Sequence, residues 1–72
     1  MTKEEIMKLA LEEAIKAAGS QLRLADEVGI ASPSITGWIE RGKVPASRVL
    51  SVEKYTGVSR HRLRPDLYPE KE

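Results

Sequence analysis

The chain has no cysteine and one histidine in 72 residues. The first absence excludes a disulfide frame and any cysteine-based zinc site, and it suits a reducing compartment. The lone His61 has no cysteine or second histidine with which to share a metal, so it is expected on the surface. No apolar run approaches the roughly 20 residues of a membrane span, and no secretory leader is visible, so a cytoplasmic protein without a membrane partner is expected. Catalytic machinery is lacking too. There is no glycine-rich phosphate loop, and Glu12-Glu13 and Asp26-Glu27 read as solvated helix charges, so neither an enzyme nor a bound cofactor is expected.

A chain of this size makes one domain, expected over residues 1–69 with a short tail at 70–72. A single core this small is marginal, and dimerisation or very good helix packing would help it. Formal net charge is only +1. Its distribution is more informative. Residues 1–19 carry three basic and four acidic groups, residues 20–64 eight and four, and residues 65–72 one and three. The positive excess therefore falls in the middle of the chain, where a polyanion would meet it.

The turn signals and apolar spacing predict an all-α protein of five helices with short loops. Thr2 with Glu5 forms a capping box that starts the first helix near Lys3. Ile6, Ala10, Leu11, Ala14, Ile15 and Ala18 form its apolar face, and Gly19 stops it. Ser20 caps a second helix from Gln21 to Val28, with Leu22, Leu24, Ala25 and Val28 inward and Gly29 as the stop. A third helix starts near Ser32, with Pro33 at its first position, and reaches Glu40 or Arg41 before Gly42. A fourth spans about Ala46 to Thr56, with Val49, Leu50 and Val52 inward and Gly57 closing it. Ser59 caps a last short turn through Arg64, and Pro65 ends it. Leu63, Leu67 and Tyr68 are expected to fold back on the core or to form part of a dimer contact.

The stretch from Gln21 to Trp38 carries the functional signal. Ala25 is small enough to let two helices cross, Gly29 makes the turn, and Ile35 and Trp38 anchor the second helix. That is the helix-turn-helix pattern, here at about 21–40, whose second helix enters the major groove of DNA. Gln21, in the first turn of its helix, is placed to contact a phosphate, although a polar first-turn residue needs no such role. Ile35, Trp38 and Ile39 share the inward face, and for Trp38 core packing outweighs stacking on a base. The outer face offers Ser32, Pro33, Ser34, Thr36 and Gly37, with hydroxyls for base edges and a Thr36 methyl for thymine. Glu40 lies there as well and would repel phosphate unless it accepts from a cytosine amino group. Arg41, Lys43 and Arg48 follow as candidates for the DNA backbone or groove edge. No Arg, Asn or Gln sits on the groove face itself, so bridging water or DNA shape must share the readout.

These residues resemble the helix-turn-helix of the lambda-repressor-like (Cro/CI) superfamily. The segment W-I-E-R-G-K-V-P-A-S-R-V-L-S-V-E-K-Y-T-G and the ending S-R-H-R-L-R-P-D-L-Y-P resemble, more narrowly, the YdaS/Cro-like proteins of prophages. The likeness covers about residues 9–69, and the pairing of R-G-x-V-P with L-R-P-D is its most specific part. It implies a compact lambda-repressor-like fold that binds double-stranded operator DNA, usually as a homodimer on a palindrome, in a transcriptional regulator or antitoxin. Ala31-Ser32-Pro33 stands where the family commonly has Ser-Gln-Pro, and Gly37 where it often has Gln, so two adenine readers are missing. The expected function is a sequence-specific regulator, most simply a repressor. The alternative is a protein-interaction module that binds a cognate toxin or another partner. No role emerges for the Arg60–Arg64 segment.

Overall fold

The computed structural model describes residues 1–69, so the expected tail at 70–72 lies outside the described residues. Among these residues the chain forms five α-helices and no strand: α1 Lys3–Ala18, α2 Gln21–Val28, α3 Ser32–Arg41, α4 Val49–Thr56 and α5 Arg60–Leu63. The capping box is present, with the Glu5 N–H donating to Thr2 Oγ1 at 3.1 Å and the Thr2 N–H to Glu5 Oε1 at 2.8 Å. Ser20 Oγ caps α2 by accepting from the Arg23 N–H at 3.1 Å. The fourth helix is shorter than expected. Pro45 opens a single 3-10 turn, Ala46–Arg48, and regular α geometry begins only at Val49. In α3 the boundary moves by one residue: Ala31, not Ser32, is the N-cap, and it supplies no side-chain bond.

α1 is the backbone of the packing. Its Ala10 and Ala14 are fully buried and give α2, α4 and α5 a close approach to it. Leu11, Leu24, Ile35, Val44, Val49, Val52 and Leu63 complete a core in which each is at most 1% exposed. Complete burial of such side chains contributes about 1.5–3 kcal/mol each before conformational entropy is subtracted. Met7 joins the core, one turn before Leu11, whereas Ile6, Ile15 and Ala18 are only half-buried.

Three residues expected inside are outside. Leu22 is 67% exposed, Leu50 50% and Ile39 43%. Helix geometry gives the reason, since successive residues are rotated by about 100°. That places Leu22 about 160° from Leu24 and about 120° from Val28 around α2, outside the buried stripe that Ala25 borders, and Leu50 well off the Val49–Val52 stripe. Ile39 sits at the edge of the stripe set by Ile35 and Trp38. Near the end, Tyr68 packs against the core while Leu67 stays exposed.

Candidate nucleic-acid interface

The helix-turn-helix is built from α2, the loop 29–31 and α3. Ala25 is 1% exposed and sits on the buried side of α2. Gly29 takes the left-handed conformation (φ +82°), and its N–H and that of Ile30 both donate to the Ala25 carbonyl at 2.9 Å. A side chain with a Cβ adopts that conformation only with strain, so the sharp turn depends on this glycine. α3 then leans on the core through Ile35 and Trp38, its only buried residues.

This shallow seating leaves most of α3 in solvent. Pro33, Ser34 and Thr36 are exposed, and Ser32 and Gly37 are half-buried. Gln21 and Thr36 are brought together: Gln21 Nε2 donates to Thr36 Oγ1 at 3.4 Å. That is long for an N–H···O bond, so the amide is easily redirected to another acceptor. The N–H groups of Gln21 and Leu22 have no partner among the described residues, as the first turn of a helix leaves them. An anion at that end would meet two backbone donors and one side-chain donor.

Arg41 is better placed than its position at the end of the helix suggested. It forms the last turn of α3, and its guanidinium folds back to 3.8 Å from the point a Cβ on Gly37 would occupy. The missing side chain at Gly37 thus leaves a seat for a cation on the helix surface. Lys43 follows the helix end, and Arg48 lies apart on the 3-10 turn; both are half-buried. Among the described residues, none of Arg41, Lys43 and Arg48 has a carboxylate within 4 Å. Glu40 is exposed beside them and is unpaired among the same residues.

The contrast with the last arginines is sharp. Arg60 Nε donates to Glu53 Oε1 at 2.9 Å, and the Arg60 backbone N–H to Glu53 Oε2 at 3.0 Å, so α4 caps α5. The Arg60 guanidinium also lies 5.8 Å from the centre of the Tyr68 ring. Arg62 pairs with Glu13 on α1. Arg64, buried, grips both oxygens of Asp66 at 3.0 and 2.8 Å and donates its remaining edge to the Val44 carbonyl at 2.9 Å. His61, expected on the surface, is half-buried, and its Nδ1 lies 2.8 Å from the Tyr68 carbonyl, so that nitrogen carries the proton.

These bonds leave an electrostatic mark. The fork from Arg64 holds the Asp66 carboxyl down to about 2, and raises Arg64 in return. Glu53 is lowered, first by the bond from the Arg60 backbone N–H. Glu13 is lowered and Arg62 raised by the bond between them. The three arginines around His61 are therefore each tied to an acid of the chain, Arg64 in a buried fork and Arg60 and Arg62 in half-exposed pairs, a role missed from sequence. Only the R-P-D spacing held a signal, since it lets an arginine turn back onto an acid two residues on. The two most specific stretches of the resemblance meet here: Arg64 of L-R-P-D bonds the carbonyl of Val44 in R-G-K-V-P.

A family model described as bacterial toxin YdaS matches residues 11–72. The matched region takes in α2, α3 and the partners of Arg64. No curated protein and no solved structure matches the chain.

Proposed function

The chain belongs to the YdaS family, and from that footing we propose that it is a DNA-binding transcriptional regulator that sets α3 in the major groove. The observation that carries this reading is the division of the cations. The three arginines of the C-terminal turn are tied to Glu53, Glu13 and Asp66, while Arg41 and Lys43 at the end of the outward helix, and Arg48 apart on the 3-10 turn, are unpaired among the described residues, as are Arg23 and Lys54. Unpaired cations beside a protruding helix suit phosphates on either side of a groove. Ser32, Ser34 and Thr36 supply hydroxyls toward base edges, Pro33 and Gly37 keep the helix surface low, and Gln21 holds a phosphate at the start of α2. Two copies on half-sites one helical turn apart would read a palindrome. The protein acts by binding, without catalysis or cofactor, in the bacterial cytoplasm, and repression follows from occupying an operator.

Selection from a pool of randomised duplexes at low and moderate salt, followed by sequencing of the bound fraction, tests this. A palindromic motif that survives moderate salt is the expected result. Binding that vanishes as salt rises, with no sequence enriched, removes the specific regulator.

A second reading is favoured by the family's description as a toxin and by Glu40 and Ile39, both exposed on α3 and suited to a protein surface rather than to phosphate. In it the chain is one half of a toxin–antitoxin pair. Capture of the product of the neighbouring gene from the native host, competed away by operator DNA or not, separates the two.

A further inference from the structure

Lys43 stands between two fixed points of the backbone. On one side α3 ends at Gly42 (φ +79°), and the N–H groups of Gly42 and Lys43 both donate to the Trp38 carbonyl, at 2.8 and 3.1 Å. On the other side the Val44 side chain is fully buried and its carbonyl accepts from Arg64 Nη1 at 2.9 Å. The Arg64 side chain is 10% exposed, and Asp66 holds its Nε and Nη2 at 3.0 and 2.8 Å. Three bonds to a planar guanidinium leave it one orientation. Arg64 itself is buried, with three of its five N–H groups engaged inside the fold.

We propose that Arg64 is a positioning residue for DNA binding: by holding the Val44 carbonyl it sets the direction of the unpaired Lys43 toward a phosphate. The role rests on the DNA-binding reading above. A cation on a loop that is already ordered loses less freedom when it meets its phosphate than one on a mobile loop. A lysine in place of Arg64 keeps the charge, but a single ammonium does not span the Val44 carbonyl and both Asp66 oxygens in one plane.

The test uses the full chain and a mixed-sequence 20-base-pair duplex, with affinity measured across salt concentration for wild type, Arg64→Lys, Lys43→Ala and the double variant. Loss of one phosphate contact lowers the slope of log affinity against log salt by about 0.9 for each copy bound, which makes the loss of affinity between 50 and 200 mM salt smaller by about 3.5-fold. R64K is expected to give the slope of K43A, and the double variant no further change. If K43A lowers the slope equally in both backgrounds, or leaves the wild-type slope as it was, the positioning role is wrong. Amide exchange supplies a readout free of DNA: in R64K the Lys43 amide is expected to exchange faster while Leu24 and Val52 keep their protection. Unchanged Lys43 exchange overturns the proposal. Failure of the wild type to bind the duplex at low salt overturns the DNA reading and this role with it, and is distinguished from failure of the strut alone because the exchange change persists. Should R64K melt below the assay temperature, Asp66→Ala, which removes two of the three bonds that orient the guanidinium, takes its place with the same readings.

Discussion

Gly37 is a glycine in the middle of a ten-residue helix, with ordinary helical backbone and nothing but the Arg41 guanidinium near its missing Cβ, at 3.8 Å. That distance is normal van der Waals contact with the end of a flexible side chain, so a methyl fits without moving the backbone. Glycine in a helix interior costs about 0.5–1 kcal/mol relative to alanine, through the freedom it has in the unfolded chain. Gly37→Ala should therefore stabilise the protein by about 0.5–1 kcal/mol, which for a domain of this size raises the melting temperature by about 2–8 °C. Thermal unfolding followed by circular dichroism, with a urea titration to check that the m-value is unchanged, measures it. A melting temperature at or below wild type refutes the reasoning, because some unseen contact at the helix surface would then have to oppose the methyl. Gly37→Gln extends the test to function. Glutamine keeps most of the helix gain and adds an amide able to pair with adenine, a contact contributing about 1–3 kcal/mol of base discrimination. The selected DNA motif is expected to gain an adenine at one position of each half-site.

Ala25 is buried on α2 at the turn, so Ala25→Leu should overpack the site and destabilise by about 1–3 kcal/mol, read as a lower urea midpoint. Ala31 caps α3 with extended backbone but no side-chain acceptor, and Ala31→Ser should add about 0.5–1 kcal/mol in the same titration; the lower end is expected, since the Ser34 N–H already reaches the Ala31 carbonyl at 2.9 Å. Asp66 is lowered from 3.8 to about 2 by Arg64, so its contribution is complete above pH 3.8 and disappears as pH falls through about 2. The full linkage would be roughly 2.4 kcal/mol, but the Asp66 side chain is 36% exposed and solvent screening reduces the expected loss to about 1 kcal/mol. Urea midpoints between pH 6 and 2 should fall less steeply in Asp66→Asn than in wild type.

Much of this fold was legible because its punctuation is local. Thr2 with Glu5, Ser20, Gly29, Gly42 and Gly57 act within a few residues of themselves, and they placed the ends of the helices to within a few residues. Inward faces were harder to read. Leu22 and Leu50 are apolar residues on the wrong side of short helices, and composition alone does not distinguish them from Leu24 or Val49. The candidate site divides in the same way. Ser32, Pro33, Ser34 and Thr36 follow from the register of α3, whereas the seat of Arg41 over Gly37 depends on a rotamer. The arginine ties were invisible for a different reason: Arg62 meets Glu13 across 49 residues and Arg64 meets Val44 across 20, and no local pattern announces such pairs.

Those pairs also change the charge argument. The excess in residues 20–64 counted Arg60, Arg62 and Arg64 as available, yet each is neutralised by an acid within the fold. Without them and Glu53, that region presents five basic groups, Arg23, Arg41, Lys43, Arg48 and Lys54, against Asp26, Glu27 and Glu40. One copy therefore brings few cations to a duplex. If Arg41, Lys43 and Arg48 each meet one phosphate, log affinity should fall against log salt with a slope of about −2.7 for a single copy and about −5.4 for two. Titration of the selected operator across salt, beside a half-site duplex, measures both. Equal slopes on the two duplexes would refute binding as a pair, and a slope near zero on either would refute the assignment of these three cations to phosphate. A slope well above −5.4 in magnitude on the full operator would mean that the internal pairs open on binding. Arg62 and Arg60, each about half exposed, would be the first to be recruited.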